Sequence, residues 1–180
     1  PMNLSQQVDV TTTGRWKDGD VVSWSQAEWT LSGSAEEVFY KQPNIPNIVK
    51  MGEGFKSAHD CFNVCPRIQA GGRLPLTPRA SEAEKLAQMF YHPDSRDYFW
   101  APYIFQTEGN FIDHYTENAM SSDLWMAGQP NGGLREKCTV WPGDNPKGSL
   151  WDAPCLYSIR KVQCLCQFIQ SPLLRMRGLC

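Results

Sequence analysis

No cysteine occurs in the first 60 residues of this 180-residue chain, while seven crowd into the rest. Long apolar runs are missing too. No stretch approaches the roughly 18–20 apolar residues that a bilayer span requires, so this segment is not expected to insert into a membrane. There is no excess of basic charge: 17 Lys and Arg stand against 19 Asp and Glu, a net charge of -2. Without a basic stripe, nucleic acid and anionic membrane surfaces are poor partners. Histidine is scarce, at His59, His92 and His114. None falls in a zinc-protease or nucleophile spacing, and neither Gly-x-Ser-x-Gly nor a phosphate-binding glycine loop is present. Glu136 and Asp152 form a conceivable glycosidase pair, but ligand or solvated-charge roles suit such residues better. The chain reads as a non-enzyme.

The cysteines stand at 61, 65, 138, 155, 164, 166 and 180. Zinc favours two tight pairs, typically with two residues between partners. The spacings of four, seventeen, nine and two fit that pattern badly. Paired disulfides in an oxidising compartment fit better, which implies an extracellular protein, secreted or the ectodomain of a larger one. The odd count leaves Cys180 to pair beyond this stretch. Asn3-Leu4-Ser5 is a glycosylation sequon, weak support for a secreted glycoprotein. The chain begins at Pro1, without Met or a leader, and is read as a piece of something longer.

Residues 1–35 read as β. Asp18-Gly19 is a tight-turn dipeptide, and Val21, Val22, Trp24, Trp29 and Leu31 are strand formers. This segment is either the tail of a separate laminin-G or pentraxin-like domain or a simple N-terminal hairpin on the main one. Residues 36–44 are a connector, and a short strand is expected over 45–50. Residues 57–70 read as a helix capped by Ser57, with Cys61 and Cys65 on one face and Pro66 distorting or ending it. Residues 77–90 read as a second helix, with a capping box at Ser81-Glu82-Ala83-Glu84 and an apolar stripe of Ala83, Leu86, Ala87 and Phe90. From Tyr98 the chain turns to short strands and long loops.

Several of these residues, in this order, resemble the C-type lectin-like domain over residues 45–169, with 170–180 as a C-terminal linker. They are Cys65 and Gly71-Gly72-Arg73-Leu74, the aromatic run Tyr98 to Tyr103, Glu108-Gly109, and Phe111-Ile112-Asp113. Trp125-Met126-Ala127-Gly128-Gln129-Pro130-Asn131 is the specific part. Glu136-Lys137-Cys138, Asp152-Ala153-Pro154-Cys155 and Cys166-Gln167-Phe168 complete the series. The resemblance implies an α+β fold in which two helices flank short antiparallel sheets with a long loop region. It also implies disulfides Cys65–Cys166 and Cys138–Cys155. Cys61 lies one helical turn before Cys65, and Cys164 lies two residues before Cys166. Both periodicities place a further bridge, Cys61–Cys164, beside the first, with the swap Cys61–Cys166 left open.

In sugar-binding members of the family a calcium ion sits on the long loop, and the resemblance carries its ligand positions onto Gln129, Asn131, Glu136 and Asp152. Calcium wants six to eight oxygens carrying several charges. Here the Asn expected before Asp152 is Trp151, and only Glu136 and Asp152 are charged, so calcium is expected to bind weakly if at all. In the bland reading, Gln129-Pro130-Asn131 is only loop architecture. Pro130 is expected to be cis, as in the family. Trp141 and Trp151 bracket a polar loop and are candidates for stacking on a ligand, one of them being core. The expected function is recognition of a glycan or an extracellular protein through the long-loop face, with neighbouring domains of the same chain as further partners. The alternative is a structural spacer in a multidomain ectodomain.

Overall fold

The computed structural model describes residues 21–23, 46–51, 55–107, 110–158 and 162–169. The sequon at Asn3, the turn Glu108-Gly109, the connector 36–44, Cys180 and the linker beyond residue 169 lie outside the described residues, as does all of the N-terminal β segment except Val21–Ser23.

Helix α1 spans Ala58–Ile68 and buries Ala58, Cys61, Phe62 and Cys65, a stripe at three- and four-residue steps. Ser57 holds the cap position, but its hydroxyl makes no capping bond. The Ala58 N–H instead donates to the Cys155 carbonyl at 2.9 Å. Pro66 lies inside the helix rather than ending it. A proline there has no N–H for the carbonyl four residues back, and that carbonyl, of Phe62, accepts the Tyr115 hydroxyl at 3.0 Å. A long-range bond thus replaces the one that Pro66 removes. The helix exits through Gly71, at φ 85°, and Gly72. A Cβ on Gly72 would lie 2.5 Å from the Cys65 carbonyl oxygen and 2.6 Å from the Phe168 ring. Only glycine lets the chain turn back so close to the helix.

Helix α2 spans Ala80–Phe90 and buries Ala83, Leu86, Ala87, Met89 and Phe90. Its cap corrects the expectation at Ser81: the N-cap is Arg79, whose N–H donates to Glu82 Oε2 at 3.0 Å. The Thr77 carbonyl accepts the buried Tyr103 hydroxyl at 3.0 Å. Thr77 also precedes Pro78, which disfavours helical backbone at that position, so the helix starts beyond it.

Strands β1 (Val21–Ser23), β2 (Pro46–Lys50) and β9 (Leu165–Ile169) form an antiparallel sheet in that order. A second sheet has the order β7 (Trp151–Ala153), β6 (Cys138–Pro142), β3 (Tyr98–Ala101) and β8 (Val162–Gln163), with only β8 parallel to its neighbour. Pro102 separates β3 from β4 (Tyr103–Thr107), which forms a hairpin with β5 (Asn110–Asp113). Period-two alternation sorts the strands onto two cores. Phe99 and Trp141 join Leu86, Ala87 and Phe90 of α2. Trp100 and Val140 join Phe62 and the cysteines of α1. The architecture is α+β, as expected.

Cys61–Cys164 and Cys65–Cys166 tie α1 to the closing strands, with Cα separations of 5.6 and 5.4 Å. Cys138–Cys155 links the start of β6 to the segment just after β7, with a Cα separation of 5.0 Å. The parallel arrangement is the one formed, not the swap. The sulfurs of Cys65, Cys164 and Cys166 lie within 4.8 Å of one another, a cluster that two adjacent bridges account for. Beside them Arg73 pairs with Asp113, at side-chain exposures of 12% and 2%. The guanidinium also lies 4.7 Å from the Tyr115 ring centre. Asp113 Oδ1 accepts the Tyr115 and Thr116 N–H groups at 2.7 and 3.2 Å. One carboxylate therefore anchors both the helix exit and the turn after β5.

Candidate functional site

The long loop leaves the core at Leu124 and re-enters it at Cys138, the start of β6. Two backbone bonds fasten its base: Leu150 N–H to the Leu124 carbonyl at 2.8 Å, and Met126 N–H to the Leu150 carbonyl at 3.0 Å. Above that base Gly128 takes φ 86°, and the Gln129–Pro130 bond is cis. The turn is held from below by Asp152 on β7. Its carboxylate accepts the Asn131 N–H at 3.1 Å on each oxygen and the Gly132 N–H at 2.8 Å on Oδ2. Asp152 is 5% exposed, so these bonds satisfy a charge largely removed from water. Gly133, at φ 56°, opens the short turn Gly133–Arg135. Glu136 folds back over Gly132, where a Cβ would collide with its side chain.

Three of the expected residues therefore meet: Asn131 at the exposed rim, Glu136 half-buried, and Asp152 beneath. Burial raises the Glu136 carboxyl above its ordinary range, and the Asp152 charge and a hydrogen bond between the two carboxyl groups raise it further. The Gln129 Oε1 atom is buried with no hydrogen-bond partner among the described residues. The two tryptophans are not part of this cluster. Trp141 is fully buried among Phe99 and the α2 side chains, with no face left for a ligand. Trp151 pairs across the sheet with Val140, and Asp152 with Thr139, so the two point to opposite faces. The Trp151 ring is half-buried, donates to Met126 Sδ at 2.6 Å and packs on Tyr98. Sequence reasoning passed over Leu134, which is 72% exposed in the turn beside the carboxyl pair. A lone leucine in a glycine-rich polar loop was the available signal. A cleft of about 590 Å³, lined by Ser95, Asp97, Tyr98 and Asp144 among others, lies at the opposite end of β6.

The donor set does not fit a firmly held calcium ion. Asp152 Oδ2 already accepts two N–H groups and Oδ1 one. Burial and the neighbouring Asp152 disfavour charge on Glu136, and Trp151 brings no oxygen. That leaves at most two carboxylates, one of them already hydrogen-bonded, for an ion that takes six to eight oxygens with several charges among them.

Glu136 gives a pH-dependent expectation. Its folded value is raised, so the folded state prefers the protonated form. The penalty is absent where both folded and unfolded chains are protonated, below about pH 4. It grows as the pH rises through the folded value and persists at neutrality. Glu136→Gln is therefore expected to raise the melting temperature at pH 7 by a few degrees and to leave it unchanged near pH 4. Thermal melts at the two pH values check this.

No protein-family model matches the chain. Among curated proteins it is 28% identical over 163 residues to human C-type lectin domain family 3 member A, covering 86% of this chain and 79% of the relative. It is 27% identical over 162 residues to the mouse protein of that name, covering 85% and 79%. Among solved structures it is similar to the C-type carbohydrate-recognition domain of cow CD23, determined in the presence of GlcNAc2Man3 oligosaccharide. The TM-score is 0.53 at 21% identity, covering 69% of this chain and 88% of that one. Human lithostathine gives a TM-score of 0.56 at 15% identity, covering 69% and 92%. The C-type lectin domain of murine dendritic cell inhibitory receptor 2, in complex with N-glycan, gives 0.55 at 12% identity, covering 69% and 91%.

Proposed function

We propose that this chain, a domain of the C-type lectin-like fold, is an extracellular, non-enzymatic module that recognises a glycan through its long-loop face without depending on calcium. One observation carries the reading. The cis Gln129–Pro130 turn is locked onto Asp152 by three N–H contacts, which presents Asn131 at the surface beside Glu136. A rigid rim with amide and carboxyl groups suits hydroxyl-bearing ligands, because little ordering remains to be done on binding. The cow CD23 and murine receptor domains, solved with oligosaccharide and N-glycan respectively, support a sugar as the ligand class. The three bridges support an oxidising, extracellular setting. Neighbouring domains of the same chain are further partners in this reading. An extracellular protein ligand is the alternative outcome of the same test.

The test is a glycan array probed with the full chain, once in millimolar calcium and once in EDTA, alongside Asn131→Ala. Binding is expected in both buffers and is expected to fall at least tenfold in the variant. Asn131 is exposed, so this substitution leaves the fold intact. The melting temperature should differ by less than about 1 °C between the buffers, since a ligand binding only the folded state must raise it. A calcium-dependent rise of several degrees would restore the calcium site. An array silent in both buffers, together with Asn131-dependent capture of a cell-surface protein, would replace the glycan with a protein ligand.

A further inference from the structure

Two histidines that play no part in the loop-face cluster face each other across two elements. His59 is the second residue of α1 and is exposed; His114 follows β5 and is half-buried. Their ring centres are 6.2 Å apart, with planes at 66°. Phe62, one turn along α1, orients both. His114 stacks on it at 4.5 Å and 22°, and His59 meets it edge-on at 5.5 Å. The Tyr115 ring closes a further side of His114 at 5.0 Å, and the His114 backbone N–H is fixed to the Pro102 carbonyl at 2.8 Å. Among the described residues no hydrogen bond reaches a ring nitrogen of either histidine, although His92 uses its Nδ1 to accept the Asp94 N–H.

We propose that His59 and His114 form a surface site for a divalent transition-metal ion of borderline softness, zinc or copper, with water completing the shell. Imidazole nitrogen suits these ions better than calcium or magnesium. Metal–nitrogen distances of about 2.0–2.1 Å place two imidazole centres on one tetrahedral ion roughly 5 Å apart, so from the observed 6.2 Å the exposed His59 ring has about 1 Å to close. The stack on Phe62 holds the His114 ring in place beforehand, and the exposed His59 side chain supplies the adjustment. Both ligands must be neutral to bind. Burial, then the adjacent His59, hold His114 below its ordinary value; Asp113 acts against this and Arg73 with it. At neutral pH the His114 lone pair is therefore free. Two protein ligands leave positions open on the ion, so the site would also let the metal bridge to a donor from another molecule.

The experiment titrates ZnCl2, and separately CuCl2, into the full chain by calorimetry, with histidine ring signals followed by NMR in the zinc titration. Cys180→Ser serves as the background, since that residue lies outside the three bridges. The expected result is one ion per chain with a Kd on the order of micromolar to tens of micromolar, about half the binding free energy of a four-ligand zinc site. The His59 and His114 signals should shift together while that of His92 stays put. His59→Gln, at an exposed position, should weaken binding at least tenfold without changing the metal-free melting temperature. His114→Phe keeps the stack on Phe62 and should weaken it equally. Absence of saturation below millimolar metal, or binding of unchanged affinity in both variants, would overturn the site.

Discussion

Removing either of the two parallel bridges is expected to cost about 2–3 kcal/mol, whereas removing both costs about 7. The asymmetry follows from what each bridge closes. A lone Cys65–Cys166 bridge closes a loop with a sequence separation of 101, and in the chain-entropy model a loop of that size is worth about 4.7 kcal/mol. With that bridge in place, Cys61–Cys164 closes only a small ring, running four residues along α1 and two along the closing strands. A ring of roughly eight residues is worth about 2.5 kcal/mol in the same model. The roles are interchangeable, so whichever pair is lost, the survivor still closes the long loop. Domains of this size are stable by only about 5–15 kcal/mol, so the fourfold variant should be largely unfolded at 37 °C. Urea denaturation of Cys61→Ala/Cys164→Ala, of Cys65→Ala/Cys166→Ala and of the fourfold variant checks this. Two large, additive losses would contradict it.

Arg73→Met is expected to destabilise the domain by about 3–5 kcal/mol, the range for removing one partner of a buried ion pair. At this size that amounts to a fall in melting temperature on the order of 10 °C or more. The loss has two sources. Asp113 is 1% exposed, so without the guanidinium its charge is stranded away from water. The packing of Arg73 against Tyr115 goes as well, and Tyr115 is the residue that completes α1 at the Phe62 carbonyl. Asp113→Asn should cost less. An amide still accepts the Tyr115 and Thr116 N–H groups, and Arg73, at 12% side-chain exposure, can turn its charge towards solvent. Thermal melts of both variants decide the order, and equal losses would contradict the assignment of the burden to the carboxylate.

What was legible in the sequence was what repeats at short range. The apolar stripes of α1 and α2 could be read to within two or three residues, because helical periodicity is a local signal. The four-residue and two-residue spacings of the cysteines set Cys61 beside Cys65 and Cys164 beside Cys166, and the structure joins them in parallel. The cis bond before Pro130 came with the family resemblance. What was not legible depends mostly on partners distant in the chain. Pro66 was expected to distort or end α1; it does not end it, because Tyr115, 49 positions later, accounts for the orphaned carbonyl. The box at Ser81 looks ideal locally, yet the reciprocal pair that forms is Arg79 with Glu82, which puts the N-cap two residues earlier. Which tryptophan lies in the core was undecidable until the register of β6 with β7 placed Trp141 inside and Asp152 under the loop. Neither the Arg73–Asp113 pair nor the facing histidines has any sequence signature, since each joins positions some 40 or more residues apart.

The framework rests on α1 being clasped to the closing strands and on Cys138–Cys155 pinning β6, which follows Glu136, to the segment just after β7, the strand that carries Asp152. Peptide mapping of the unreduced protein by mass spectrometry tests that framework directly. The account predicts linked peptides joining 61 to 164, 65 to 166 and 138 to 155, with no free thiol among those six positions. Recovery of alkylatable thiols at any of the six, or a crosswise link from 61 to 166, would contradict it.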